Sequence, residues 1–178
     1  MCVEIEAKLK VDSLPDVESK LKELGAEFIA EQSQSDVLFD DANATLIATD
    51  QCLRLRSQSI GDSKKFFLTY KGAKEQSDFK KRQEIEIEIN SAEMAQRLFL
   101  ALGYQKILVV KKIRRLWRFG HCDIALDHLS SLGNFVEIEG PDDKIITDVQ
   151  KRLGLAHLPP IANSYAQMIK EKLDLCEM

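Results

Sequence analysis

Charged and apolar residues alternate through Glu4-Ile5-Glu6-Ala7-Lys8-Leu9-Lys10. On an extended strand this puts Glu4, Glu6, Lys8 and Lys10 on one face and Ile5, Ala7 and Leu9 on the other. Two carboxylates on one narrow surface repel each other unless a cation bridges them. The neighbouring ammonium groups suit an anion. A lone strand of this kind also reads as half buried with a solvated polar face, so recurrence decides between the two. The pattern recurs at Arg54/Arg56, at Arg82, Glu84, Glu86 and Glu88, at Lys112/Arg114, at Asp123/Asp127 and at Glu137/Glu139. Paired arginines match bidentate recognition of oxyanions. Clustered carboxylates offer the all-oxygen ligation of Mg²⁺ or Mn²⁺, which leave their remaining positions to water and phosphate. Together these residue types point to a polyphosphate held with its metal ions.

Strands and helices must position these groups. Ser13-Leu14-Pro15-Asp16 reads as a helix start, with serine as N-cap, proline in the first turn and an acid facing the helix dipole. Leu14, Val17, Leu21 and Leu24 form its apolar stripe, and Gly25 stops it. Residues 27 to 39 are extended, and a short helical turn is placed over Ala44 to Ile47. Two strands flank a turn at Gly61-Asp62: Leu53 and Leu55 alternate with Arg54 and Arg56, then Phe66 and Leu68 with Phe67, Thr69 and Lys71. Arg82 to Asn90 alternates strictly, and a helix runs from Ser91 to Gly103. Three further strands follow, over residues 104 to 118, from Cys122 to Asp127 and from Phe135 to Glu139. Two helices close the chain, from about Asp142 to Leu153 and from about Ala162 to Leu173, separated by Leu158-Pro159-Pro160.

A shift of 78 residues lays Glu6 on Glu84, Ser13 on Ser91, Leu24 on Leu102 and Gly25 on Gly103. Residues 3–40 and 82–119 therefore read as an internal pseudo-repeat within one domain spanning residues 1–178. The apolar stripes of the helices need the aliphatic strand faces to bury against, so the charged faces must point away from the helices. The fold class expected is α+β: an eight-stranded antiparallel closed β-barrel, or tunnel, with a charged lumen and helices packed outside.

A chain of 178 residues, 44% hydrophobic and 30% charged, suits one domain with a core of its own. A net charge of −4 gives no reason to expect a nucleic-acid partner. No run of eighteen apolar residues occurs and charge begins at residue 4, so neither a membrane span nor a secretory signal is expected, and the location expected is cytoplasmic. Cys2, Cys52, Cys122 and Cys176 are scattered, which predicts thiols rather than a zinc or redox pair. His121, His128 and His157 lack the spacing of a zinc helix.

The Glu4-Ile5-Glu6-Ala7-Lys8 run resembles the ExExK signature of the CYTH superfamily, the triphosphate tunnel metalloenzymes. Similar segments follow in order: Leu53 to Arg56, Phe67 to Gly72, Arg82 to Glu88, Lys112-Ile113-Arg114 and Leu132 to Glu139. The branch most resembled is that of class IV adenylyl cyclase-like proteins, through Phe67 to Gly72 and Asp127 to Glu139. The resemblance implies divalent metal, Mg²⁺ or Mn²⁺, at Glu4, Glu6, Asp127, Glu137 and Glu139. It implies triphosphate contacts from Lys8, Arg54, Arg56, Lys71, Arg82, Lys112 and Arg114, with Glu84 and Glu86 as further tunnel residues. Doubled bases in Lys111 to Arg115 leave the inward register open by one residue; strand phase with Leu116 selects Lys112 and Arg114 over Lys111 and Arg115. The implied activity is a divalent-metal-dependent cyclase (lyase) making cyclic AMP and pyrophosphate from ATP. The alternative is a triphosphatase (hydrolase) of thiamine triphosphate, inorganic triphosphate or nucleotides, and behind it a polyphosphate-binding module without turnover. The expected partner is the small-molecule triphosphate alone, and the chain is expected to be a monomer or homodimer.

Overall fold

Alternation turns into strands wherever it was legible. The computed structural model describes residues 2–74 and 80–176. Its elements in chain order are β1 (Cys2–Val11), α1 (Leu14–Glu23), β2 (Glu27–Asp40), α2 (Thr45–Ala48), β3 (Cys52–Ile60), β4 (Ser63–Lys71), β5 (Lys80–Ile89), α3 (Ala92–Ala101), β6 (Gln105–Phe119), β7 (Cys122–Leu129), β8 (Gly133–Glu139), α4 (Asp143–Arg152) and α5 (Tyr165–Cys176). The hydrogen-bonded strand order is β1-β5-β4-β3-β2-β6-β7-β8 and closes on itself. Among the described residues, no helix is long and apolar enough to cross a membrane.

The two segments read as a repeat fold alike, as strand-helix-strand, with the same local bonds at both helix ends. The Ser13 hydroxyl accepts from the Asp16 amide at 3.3 Å, and that of Ser91 from the Met94 amide at 3.2 Å. At the C-terminus Gly25 and Gly103 take φ of 75° and 89°. Each glycine amide donates to the carbonyl three residues back, and the next amide to the carbonyl five back: Gly25 to Lys22 and Ala26 to Leu21, Gly103 to Leu100 and Tyr104 to Phe99. This double bond with a left-handed residue is a Schellman ending, which glycine reaches without a Cβ clash.

One helix start differs from expectation. Helix α5 begins at Tyr165 rather than near Ala162. The Gln167 amide donates to the Ser164 hydroxyl at 3.2 Å and the Gln167 side chain accepts from the Ser164 amide at 2.8 Å, a capping box that sets the boundary. The short turn over residues 44 to 47 forms as α2, held by buried Asp40, whose carboxylate accepts from the amides of Leu46 and Ile47 at 2.9 Å.

The described residues form two compact units. One is built from the chain up to Glu4, from Gln32 through β4, and from Lys81–Lys111; the other from Ile5–Glu31 and from Lys112 onward. In the first, Phe39 and Leu55 from the strands pack with Ala95 and Phe99 of α3. The rings of Phe39 and Phe99 meet edge to face at 5.1 Å. In the second, Leu9, Ile124, Val136 and Ile138 from the sheet meet Leu21 of α1 and Ile146 of α4, all essentially without exposure. Burial of each such side chain stabilises by about 2 kcal/mol. Within each unit the helices cover part of the apolar strand face, while Ile85 and Ile87 of β5 and Ile107 and Val109 of β6 stay exposed; the charged alternate residues lie on the opposite face.

The matched helix ends generate a matched expectation. Ser13→Ala and Ser91→Ala should each lose about 1 kcal/mol of stability in urea denaturation, and Gly25→Ala and Gly103→Ala about 1 kcal/mol each from the left-handed backbone. Loss at only one member of either pair would contradict the equivalence of the two segments.

Candidate functional site

In the second unit, antiparallel pairing lays the charged residues of β1, β8, β7 and β6 in rows. Glu6 faces Glu139, which faces Asp123, which faces Arg118. In the next row Lys8 faces Glu137 and Ala125; in the next, Lys10 faces Phe135, Asp127 and Arg114. The register therefore puts Lys112 and Arg114 on the face of Asp127, while Arg115 turns the other way and pairs with Glu18 of α1.

Asp127 is the hub of this face. Its side chain is wholly buried and accepts from Arg114 Nε and Nη2 at 2.7 and 2.6 Å, from Lys112 Nζ at 3.0 Å and from the Tyr165 hydroxyl at 2.9 Å. Burial alone would raise the Asp127 pKa, but the Arg114 and Lys112 charges hold it below the ordinary aspartate value. Burial likewise opposes the Arg114 charge, yet the Asp127 and Glu137 carboxylates raise its pKa well above the usual. Lys8 Nζ lies 3.3 Å from Glu137, donates to the Asn163 carbonyl at 3.2 Å and sits 4.2 Å from the Tyr165 ring centre. Lys112 sits over the same ring at 5.0 Å. Burial, with Glu137 and Asp127 nearby, pushes the Tyr165 phenol well up, so it remains a hydrogen-bond donor. Lys8, Lys112 and Arg114 thus gather around two carboxylates, Asp127 and Glu137.

The first unit carries a second cluster. Asp36 faces Arg56, then Phe67 and Glu88; Leu38 faces Arg54, then Thr69 and Glu86; Lys71 faces Glu84. Arg56 binds Asp36 bidentately at 2.7 Å on both arms. Arg54 reaches the Thr69 hydroxyl at 2.9 Å and Glu86 at 3.2 Å, with Glu84 at 3.6 Å and Asp36 at 3.8 Å. Although desolvation works against it, the Asp36 and Glu84 charges raise the Arg54 pKa. Lys71 bridges Glu4 at 2.5 Å and Glu84 at 2.8 Å. Burial opposes the Glu84 charge, but Lys71 and Arg54 outweigh it and lower its pKa. Arg82 differs from these bases. It is 5% exposed, and its buried Nε has no hydrogen-bond partner among the described residues.

Sequence reasoning missed several of these partners. Asp36 clamps Arg56 from a strand whose register only the pairing reveals, and Thr69 joins Arg54 to Glu86. Tyr165 arrives from α5; the only signal for it was an aromatic directly after a capping serine.

The donor set can be weighed against a hard divalent ion. Asp127 is engaged by nitrogen and hydroxyl donors, and Glu4 and Glu137 lie against lysine or arginine. No group of three or more His, Cys, Asp or Glu side chains gathers within reach of one ion among the described residues. Mg²⁺ keeps several waters and needs only one or two carboxylates beside substrate phosphates. Glu6 and Glu139, cross-strand neighbours on one face, meet that requirement with oxygen donors. Glu139 also lines an open pocket of about 400 Å³ with Arg118, His121 and Asp123.

With this geometry in place, comparison with known proteins is informative. The CYTH domain family model matches residues 3–153. The chain is 33% identical over 150 residues to a protein of Methanocaldococcus jannaschii named "Putative adenylate cyclase", covering 84% of this chain and 81% of that protein. It is 26% identical over 182 residues to "Adenylate cyclase CyaB" of Aeromonas hydrophila, covering 97% and 91% respectively. The solved structure of the PH1819 protein from Pyrococcus horikoshii OT3 superposes with a TM-score of 0.83 at 28% identity, over 95% of this chain and 99% of that one. A family match that takes in all eight strands and every charged position described above establishes that the chain belongs to the CYTH domain family.

Proposed function

We propose that this protein is a divalent-metal-dependent enzyme acting on a triphosphate, and that its reaction is the conversion of ATP to cyclic AMP and pyrophosphate. The observation that carries the triphosphate is Arg82. A buried guanidinium whose Nε lacks a partner is costly unless an anion meets it, and a phosphate oxygen is the acceptor best matched to that planar fork. The names of the two curated relatives support the cyclase over other uses of a triphosphate.

Phosphate binding is assigned to Arg54, Arg56, Lys71 and Arg82 in the first unit and to Lys8, Lys112 and Arg114 in the second. Cyclisation forms the bond from the ribose 3′-oxygen to the α-phosphorus, releases the 3′-hydroxyl proton to solvent and breaks the bond from that phosphorus to the oxygen bridging it to the β-phosphorus, which leaves with pyrophosphate. Fixed guanidinium and ammonium groups offset the charge that grows on the departing pyrophosphate. Glu6 and Glu139 would hold the divalent ion, with Glu137 as a further oxygen donor; when bound, the ion would neutralise phosphate oxygens. Asp127 acts through the bases it orients, fixing Arg114 bidentately and keeping Lys112 beside it.

Mixing the protein and Mg²⁺ or Mn²⁺ separately with ATP, thiamine triphosphate and tripolyphosphate, and following ³¹P NMR, should give pyrophosphate and a cyclic nucleotide signal from ATP. Orthophosphate release instead would assign a triphosphatase, and absence of any product would remove the enzymatic reading. Arg82→Met should raise the KM for the triphosphate about tenfold to a hundredfold without lowering stability to urea, since it deletes a buried charge with an unmet donor; an unchanged KM would place Arg82 outside the site. Glu139→Gln should raise the Mg²⁺ concentration needed for half-maximal rate. Asp127→Asn should instead cost about 3 kcal/mol of stability, because it strips Arg114 and Lys112 of their buried counter-charge; the reverse pattern in these two variants would exchange their roles.

A further inference from the structure

Beyond the charged clusters, the polar face of β2 and β3 ends in three neutral amides. Gln32, Gln34 and Asp36 alternate along β2, and Gln34 and Asp36 stand opposite Gln58 and Arg56 of β3. Gln34 is 3% exposed. Its Nε2 donates to Gln32 Oε1 at 2.7 Å and to Gln58 Oε1 at 3.0 Å, which uses both of its amide hydrogens. Its Oε1 is buried and has no hydrogen-bond partner among the described residues. Leaving such an acceptor unmet costs about 1–3 kcal/mol. Buried amides otherwise find partners, so an unmet one calls for a specific explanation. The amide nitrogens of Gln32 and Gln58 are further donors on the same strand face. That face therefore offers an acceptor and donors, the groups that complement a heterocyclic edge carrying an N–H beside a ring acceptor. Reversing all three amides would make the unmet group at Gln34 a donor, which a ligand acceptor rather than an amine would meet. The triad begins one alternation step beyond Arg56, about 7 Å along the strand.

Resting on the triphosphate reading above, we propose that Gln32, Gln34 and Gln58 form the subsite that reads the organic group of the substrate. Its occupant is an amino-substituted heterocycle whose exocyclic amine donates to Gln34 Oε1 while a ring nitrogen accepts from Gln58 or Gln32. Bare tripolyphosphate has no such edge. Adenine and the aminopyrimidine of thiamine share the chemistry, and the experiment separates them.

Affinities for ATP, thiamine triphosphate, purine riboside triphosphate (which lacks the amine) and tripolyphosphate are measured by calorimetry with Mg²⁺ on the full chain, for wild type, Gln34→Leu and Gln58→Ala. Wild type should bind ATP or thiamine triphosphate at least about tenfold more tightly than tripolyphosphate, and whichever is preferred identifies the heterocycle. If it is ATP, purine riboside triphosphate should lose that advantage. Both variants should bring the preference close to one while tripolyphosphate affinity holds. Gln58 is only half buried, so its variant tests the subsite should Gln34→Leu fail to fold, and the purine riboside comparison needs no variant. Equal wild-type affinity for tripolyphosphate and the organic triphosphates overturns the subsite alone, as does a parallel loss of all ligands in the variants or an ATP preference that survives removal of the amine. Failure of every triphosphate to bind overturns the functional reading with it.

Discussion

Asp127 is the constraint on which the charged face of the second unit depends. A carboxylate with no exposure is tolerated only when its charge and lone pairs are met. Four hydrogen bonds from Lys112, Arg114 and Tyr165 meet them. The same bonds fix where those groups stand. Arg114 is clamped on two arms, and Tyr165 is drawn from α5 onto the sheet, where its ring supports the ammonium groups of Lys8 and Lys112. One buried acid thus places two bases directly and a third through an aromatic ring.

The first unit solves the same problem differently. Instead of one hub it spreads its acids, with Asp36 on Arg56, Glu86 and Thr69 on Arg54, and Glu4 and Glu84 on Lys71. Cations this close would repel one another in a medium of low polarity unless carboxylates stood between them. The charged faces are therefore as acidic as they are basic, although the proposed ligand is an anion. Arg82 stands apart from this arrangement, and its unmet Nε is the point where binding has most to gain.

Much of this was legible before any coordinates, because period-two alternation, serine caps and glycine stops are local. The strands, four of the helices and the choice of Lys112 and Arg114 over Lys111 and Arg115 all follow from parity within one strand. What stayed hidden depends on register between strands or on long-range docking. Nothing local to Asp36 marks it as the partner of Arg56 twenty residues later. Nothing local to Tyr165 says that it reaches a carboxylate on β7. The glutamines looked like ordinary polar residues on a strand, and only the cross-strand match of Gln34 with Gln58 shows an amide oxygen with no donor. The resemblance supplied roles for the acids, but not the finding that Asp127 is saturated by hydrogen bonds.

That saturation bears on how roles divide among the carboxylates. A metal ligand must offer lone pairs to the ion, whereas an anchor must spend them on fixed donors, and one side chain cannot do both fully. Asp127 spends Oδ2 on Lys112, Arg114 and Tyr165, and accepts the second arm of Arg114 at Oδ1. Glu6 and Glu139 lie in a row that ends at Asp123 and Arg118, and Glu139, Asp123 and Arg118 line an open pocket. The innermost acid, Asp127, holds the bases in place. The alternating Glu-x-Glu spacing of β8 sets Glu137 against Lys8 and Arg114 and Glu139 one step, about 7 Å, further along.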